Sequence, residues 1–184
     1  MRAQVFVFTF KEGLFAKLAH DLRLSVTSFE IRLEAGQVRA TFDASSLRVD
    51  GVAHRGKVDR SILSNGDKAE IEETIRKELL EIAEHPRIEL KGTLKRDPTG
   101  SAVEGQLHLH GHAQGLSIPL RLVSERIVGE VELVPSKFAI PQYKAFMGAI
   151  ALRDRVVVRV ELFEELAKLE AIANSGEATV FEPA

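Results

Sequence analysis

The stretch Val103-Glu104-Gly105-Gln106-Leu107-His108-Leu109-His110-Gly111-His112-Ala113-Gln114-Gly115-Leu116-Ser117-Ile118-Pro119-Leu120-Arg121-Leu122 decides the fold class. Val103, Leu107 and Leu109 share one face of an extended segment. Leu116, Ile118, Leu120 and Leu122 do the same after a turn signalled by Gly111 and Gly115. Successive side chains of a strand point to opposite faces, so this period reads as a half-buried antiparallel hairpin. The pattern extends upstream through Ile88, Leu90 and Leu94, and through Glu30–Leu33 and Val38–Phe42, which flank the hairpin turn Glu34-Ala35-Gly36-Gln37. Further upstream lie His20, Leu22, Leu24 and Val26, and then Phe6, Phe8 and Phe10 opposite Val5, Val7 and Thr9. Downstream it continues through Ile127, Val131 and Leu133 and ends with Val156, Val158, Val160 and Leu162. Roughly eight short strands joined by turns predict an antiparallel sheet that curls or closes. Parallel α/β strands would be apolar on both faces, so that class is disfavoured.

The period changes after Ser64-Asn65-Gly66-Asp67. From Lys68 to Glu84, Ile71, Ile75, Leu79 and Ile82 recur at helical spacing. Asp67 is the expected cap, with Glu70 three residues on, and Pro86 stops the run by lacking an amide donor. An amphipathic helix of about four turns is predicted over 68–84. A shorter helix is predicted from Glu164 to Ala173, followed by a polar tail. No low-complexity linker or repeat divides the chain, so residues 1–163 read as one domain and 164–184 as a short helical extension.

The 184 residues are 45% hydrophobic and 28% charged, the composition of a globular domain. Lys and Arg total 25 against 27 Asp and Glu, and the aromatics are 10 Phe, 1 Tyr and no Trp, which argues against a nucleic-acid partner. The absence of Cys excludes disulfides, thiolate metal sites and a Cys nucleophile. The N-terminal apolar run is short and leads to no small-residue cleavage site, so the expected compartment is the cytoplasm. No stretch suits stable membrane insertion. The acidic segments from Asp67 to Glu84 and beyond Glu161 are compatible with a homodimer or with solubility alone.

Two local constellations carry candidate chemistry. On a straight strand His108, His110 and His112 share a face and offer imidazoles to a zinc or copper ion. The competing reading puts them outside, because Leu107 and Leu109 occupy the inward face and a turn near His112 breaks the alternation. His20 falls in phase with Leu22, Leu24 and Val26, so it is either a polar anchor at the inner end of an apolar wall or a satisfied buried histidine. The loop Arg48–Arg60 carries Arg48, Arg55, Lys57 and Arg60 against Asp50 and Asp59 and reads as solvated. No Gly-x-Ser-x-Gly elbow, phosphate-binding glycine loop or His-Glu-x-x-His is present. Ala40, Gly105 and Gly129 are small residues at inward positions; they leave room for a ligand or serve strand curvature.

In order along the chain, several segments resemble the YceI-like family of lipid- or polyisoprenoid-binding proteins. They are Ala19-His20-Asp21-Leu22, Ser45-Ser46-Leu47, His85-Pro86-Arg87-Ile88-Glu89-Leu90, and Gly105–Gly111 with Ile118-Pro119-Leu120. The series closes with Phe138-Ala139-Ile140-Pro141, Gly148 and Leu152–Val156. Of the histidines, only His110 matches the family position. The resemblance spans roughly residues 5–163 and implies a mainly β, lipocalin-like antiparallel barrel of eight strands with a helix. It further implies a long apolar ligand, isoprenoid or fatty, in the lumen, and no catalysis or cofactor. The expected ligand contacts are Phe6, Phe8, Phe10, His20, Phe42, Leu107, Leu109 and Phe138, with Tyr143, Phe146 and Met147 at the mouth. The alternative is a metal protein or His-based enzyme built on His108, His110 and His112.

Overall fold

A computed structural model describes residues 1–12, 20–54, 56–98, 100–145 and 150–184. The strands are β1 (Arg2–Glu12), β2 (Leu22–Val26), β3 (Phe29–Glu34), β4 (Gln37–Asp43), β5 (Leu47–His54), β6 (Lys57–Asp59) and β7 (Arg87–Asp97). They continue with β8 (Gly100–Leu109), β9 (His112–Val123), β10 (Arg126–Leu133), β11 (Lys144–Ala145), β12 (Ile150–Leu162) and β13 (Thr179–Pro183). The helices are α1 (Asn65–Thr74), continued by one wide turn over Ile75–Leu79, and α2 (Leu166–Ser175).

The sheet closes on itself. Its hydrogen-bonded order runs β12-β10-β9-β8-β7-β4-β3-β13-β1, and β1 returns to β12. The barrel class expected from the alternation is present, but the ring holds nine strands rather than eight. The ninth is β13, from the segment expected to be a polar tail. It fills a seam where the β2–β3 strand swings away from β1. Val5–Thr9 of β1 pair with β2, whereas Arg2 and Ala3 pair with Glu182 and Pro183. On its other side β13 pairs with β3 through Thr179, Val180 and Phe181. Phe181 is 1% exposed and lies in the main core with Phe29, Ile31, Leu33 and Leu169 of α2.

The described part of 48–60, expected as a solvated loop, instead contributes to β5 and β6, an extension of the sheet beside β2; Arg55 lies outside the described residues. Asp50 explains the ordering: its carboxylate accepts from Arg23 Nε at 2.7 Å and from Ser25 Oγ at 2.9 Å, both across the β2–β5 pair. α1 covers β5, packing Ile71 and Ile75 on Leu22, Leu24, Leu47, Val49 and Val52. It begins earlier and ends earlier than expected. Ser64, not Asp67, is the N-cap, and Asp67 reciprocates by accepting from the Ser64 amide at 2.8 Å. The Ser64 hydroxyl and amide hold the Asp67 carboxyl below its usual range. A lowered folded pKa stabilises above the unfolded value, so this capping contribution is expected to disappear as pH falls through the folded value. Helix content by circular dichroism, compared with Asp67→Asn, reads that loss.

Close strand approach explains one of the small inward residues. Gly105 of β8 faces Gly92 of β7, and a Cβ there would stand 2.2 Å from the Lys91 carbonyl oxygen. Gly105→Ala is expected to cost about 1–3 kcal/mol, the usual penalty for forcing extra volume into packed structure. Urea denaturation checks it, as a lower midpoint at constant slope.

Candidate functional site

The interior is packed in one half and hollow in the other. Phe29, Ile31, Leu33, Val38, Val103, Leu162, Leu169 and Phe181 fill the end that α2 covers. Toward the α1 end the strands line a partly open cavity of about 450 Å³. Its walls are aliphatic: Val5 and Val7 from β1, Leu90 from β7, Leu107 and Leu109 from β8, Leu116 and Ile118 from β9, Val131 from β10, and Val156, Val158 and Val160 from β12. α1 and its wide turn contribute Ile71, Ile75, Leu79 and Leu80, so the helix forms one side of the cavity. Gly129 also lines it, and a side chain there would press on Ile118 and Leu120. Polar lining groups, among them Asp43, Glu70, Gln142, Tyr143 and Arg153, are exposed or half-exposed. Thr9 also lines the cavity, but its hydroxyl oxygen is buried away from solvent and has no hydrogen-bond partner among the described residues.

Of the expected contacts, His20, Phe42, Leu107, Leu109 and Tyr143 line the cavity. Phe138 does not; it is buried in the core beside it, with 2% exposure. Phe146 and Met147 lie outside the described residues. Phe6, Phe8 and Phe10 are on the other face of β1, which corrects their expected orientation. Cross-strand register settles this: Val5, Val7 and Thr9 oppose Val160, Val158 and Val156, whose inward face the alternation of β12 already declares. The outward rings are shielded by guanidinium groups, each tied to a carboxylate. Arg23 lies 4.6 Å from the Phe6 ring and pairs with Asp50. Arg155 lies 4.8 Å from Phe10 and pairs with Glu132, and Arg159 lies 5.3 Å from Phe8 and pairs with Glu130. Such stacking covers aromatic faces without removing charge from water.

The histidines separate. His108 is exposed on β8, as alternation from Leu107 and Leu109 requires. The β8–β9 turn comes earlier than expected, at His110 and Gly111, both with positive φ (51° and 74°). That reversal turns His110 inward to 8% exposure. Its Nδ1 lies 3.1 Å from the Phe138 carbonyl and its Nε2 2.9 Å from Glu81 Oε2. His112 Nδ1 donates to the His110 carbonyl at 2.8 Å. The three histidines therefore do not present one ligand face.

No helix among the described residues is long and apolar enough to cross a membrane. A family model described as YceI-like domain matches residues 3–163. Among solved structures, the chain superimposes on BcnA of Burkholderia cenocepacia with a TM-score of 0.58 at 14% identity, covering 86% of this chain and 94% of that one. It superimposes on a polyisoprenoid binding domain from Saccharophagus degradans, implicated in plant cell wall breakdown, with a TM-score of 0.52 at 13% identity; the coverage is 86% and 91%. At such identities the likeness is one of fold. No curated protein matches the chain significantly.

Proposed function

The chain belongs to the YceI-like domain family, and from that premise we propose that it is a non-catalytic binding protein that holds a long apolar chain, isoprenoid or fatty, in its barrel. The observation that carries this is the cavity itself: about 450 Å³ of space walled by Val, Leu and Ile and bounded by the barrel strands and a helix. Its volume falls in the range of small-molecule pockets, about 300–1,000 Å³. Burial contributes about 0.8 kcal/mol per methylene, offset by the cost of ordering a flexible chain. A solved domain with the same fold, from Saccharophagus degradans, is a polyisoprenoid binding domain. His20 and Tyr143 line the same cavity and offer polar partners to a single end group on an otherwise apolar ligand.

Titration of delipidated protein with a fluorescent prenyl alcohol and, separately, a fluorescent fatty acid tests the reading. Saturable binding of one molecule per chain is expected for at least one of them, together with a retained lipid in native mass spectra of protein from its own host. Absence of saturable binding by both ligands and of any retained lipid would sink it.

A further inference from the structure

Outside the cavity lining, three side chains converge from separate parts of the chain: Glu81 after α1, His85 before β7, and His110 in the β8–β9 turn. Each offers one ligand atom, and these atoms all lie within 4.8 Å of one another. The His85 and His110 rings sit 4.5 Å apart, inclined at 58°. Glu81 and His110 both adopt left-handed φ, at 44° and 51°, His110 as the first central residue of the two-residue β8–β9 turn. Gly111 leaves space for the His85 ring, whose Cε1 would lie 3.2 Å from a Cβ there.

The hydrogen bonds of His110 bear on what the cluster holds. A carbonyl only accepts, so Nδ1 carries hydrogen and donates to the Phe138 oxygen. In the neutral ring this leaves the Nε2 lone pair facing Glu81 Oε2 at 2.9 Å. Two acceptors at that distance need either a shared proton or a metal ion between them. A ligating imidazole that donates its other N–H to a carbonyl is the usual outer support of a metal ligand. Ligands of a tetrahedral zinc site stand roughly 3.3 Å apart, given metal–ligand distances of about 2.0–2.1 Å. The Glu81–His110 pair is near that spacing, and Glu81 faces solvent with its side chain 52% exposed. A fourth position would therefore be open to water.

The geometry points to a divalent transition-metal site of the zinc class, with Glu81, His85 and His110 as ligands. It shares only His110 with the His108, His110 and His112 constellation that strand alternation suggests. Its structural effect is to tie the exit of α1 to the β8–β9 turn. Leu79, Leu80 and Leu109 are next to these ligands in sequence and line the cavity, so the bound ion braces one edge of the cavity.

The experiment is zinc titration of untagged, chelator-treated protein by calorimetry, with cobalt substitution as a spectroscopic reading. One equivalent of zinc per chain is expected, and cobalt should give the intense visible absorption of a four-coordinate site. His85→Asn and Glu81→Gln, which leave the buried His110 in place, are each expected to weaken zinc binding at least tenfold with an unchanged circular dichroism spectrum. The His108→Asn, His112→Asn double variant should bind as the parent does. The assignment is overturned if the parent takes up no stoichiometric zinc, if His85→Asn binds normally, or if the double variant abolishes binding.

Discussion

Ending the chain at Gly176 is expected to open the barrel. β13 supplies the only strand between β3 and the start of β1 among the described residues, and Glu182 and Ala184 donate their amides to the Met1 and Ala3 carbonyls. Without it, β1 and β3 each lose hydrogen-bond partners along one edge, a ready template for pairing with other chains. Phe181, the anchor of the strand, is nearly inaccessible to solvent and belongs to the same buried cluster as Ile31 and Leu169. Phe181→Ala alone is expected to cost about 3–5 kcal/mol, since burial is lost and a cavity remains. For a chain of this size that lowers Tm by roughly 6–20 °C. The truncated chain should fall further and should self-associate on size exclusion. A truncated protein that stays monomeric and melts within a few degrees of the parent would show that β13 is ornamental to the barrel.

The second large effect concerns the cavity. Val131 of β10 and Val158 of β12 face each other across the strand pair, and both line the open space. Replacing both by Phe is expected to fill the middle of the cavity and reduce affinity for the prenyl or fatty ligand at least tenfold. Adding volume to a packed core costs about 1–3 kcal/mol at each position. Adding it to a hollow one costs less, because the new rings find apolar walls instead of clashes. Little loss of Tm combined with loss of binding is thus the expected pair of results. Phe8→Leu is the control: its ring lies outside the barrel beneath Arg159, so ligand affinity should not change. Loss of binding in Phe8→Leu with retained binding in the double Phe variant would reverse the inner and outer faces assigned here.

The two faces of β1 explain why part of the site was not legible. Val5, Val7 and Thr9 alternate with Phe6, Phe8 and Phe10, so both faces carry apolar side chains and periodicity has nothing to choose between. The Phe face is taken as the inner one with no local signal behind the choice, and the structure reverses it. In β12 Val156, Val158 and Val160 share one face while Arg155 and Arg159 flank Val157 on the other, so the charged side marks the outer face. The information needed for β1 therefore lay in its pairing partner, because residues opposite each other in an antiparallel pair share a face. Likewise Leu107, Leu109 and Phe42 were readable as inward from their own strands. The contributions of Ile71, Ile75 and Leu79 to the cavity were not, since an apolar helix stripe does not reveal which strands it covers.

The sequence by itself determined the mainly β class, nearly all of the ring strands, the helix after Ser64 and the outward position of His108. These follow from local periodicity and capping, which act over a few residues and leave a direct trace in residue order. Only the tertiary structure decided the nine-strand closure, the seam filled by β13, the hollow half of the interior and the meeting of Glu81, His85 and His110. Each of these depends on register and on packing between segments distant in the chain. A polar-looking tail with Val180 and Phe181 becomes a strand only because β1 and β3 leave two unpaired edges for it to satisfy. His110 turns inward only because the turn falls at His110 and Gly111, one step before the place where alternation would have kept it outside.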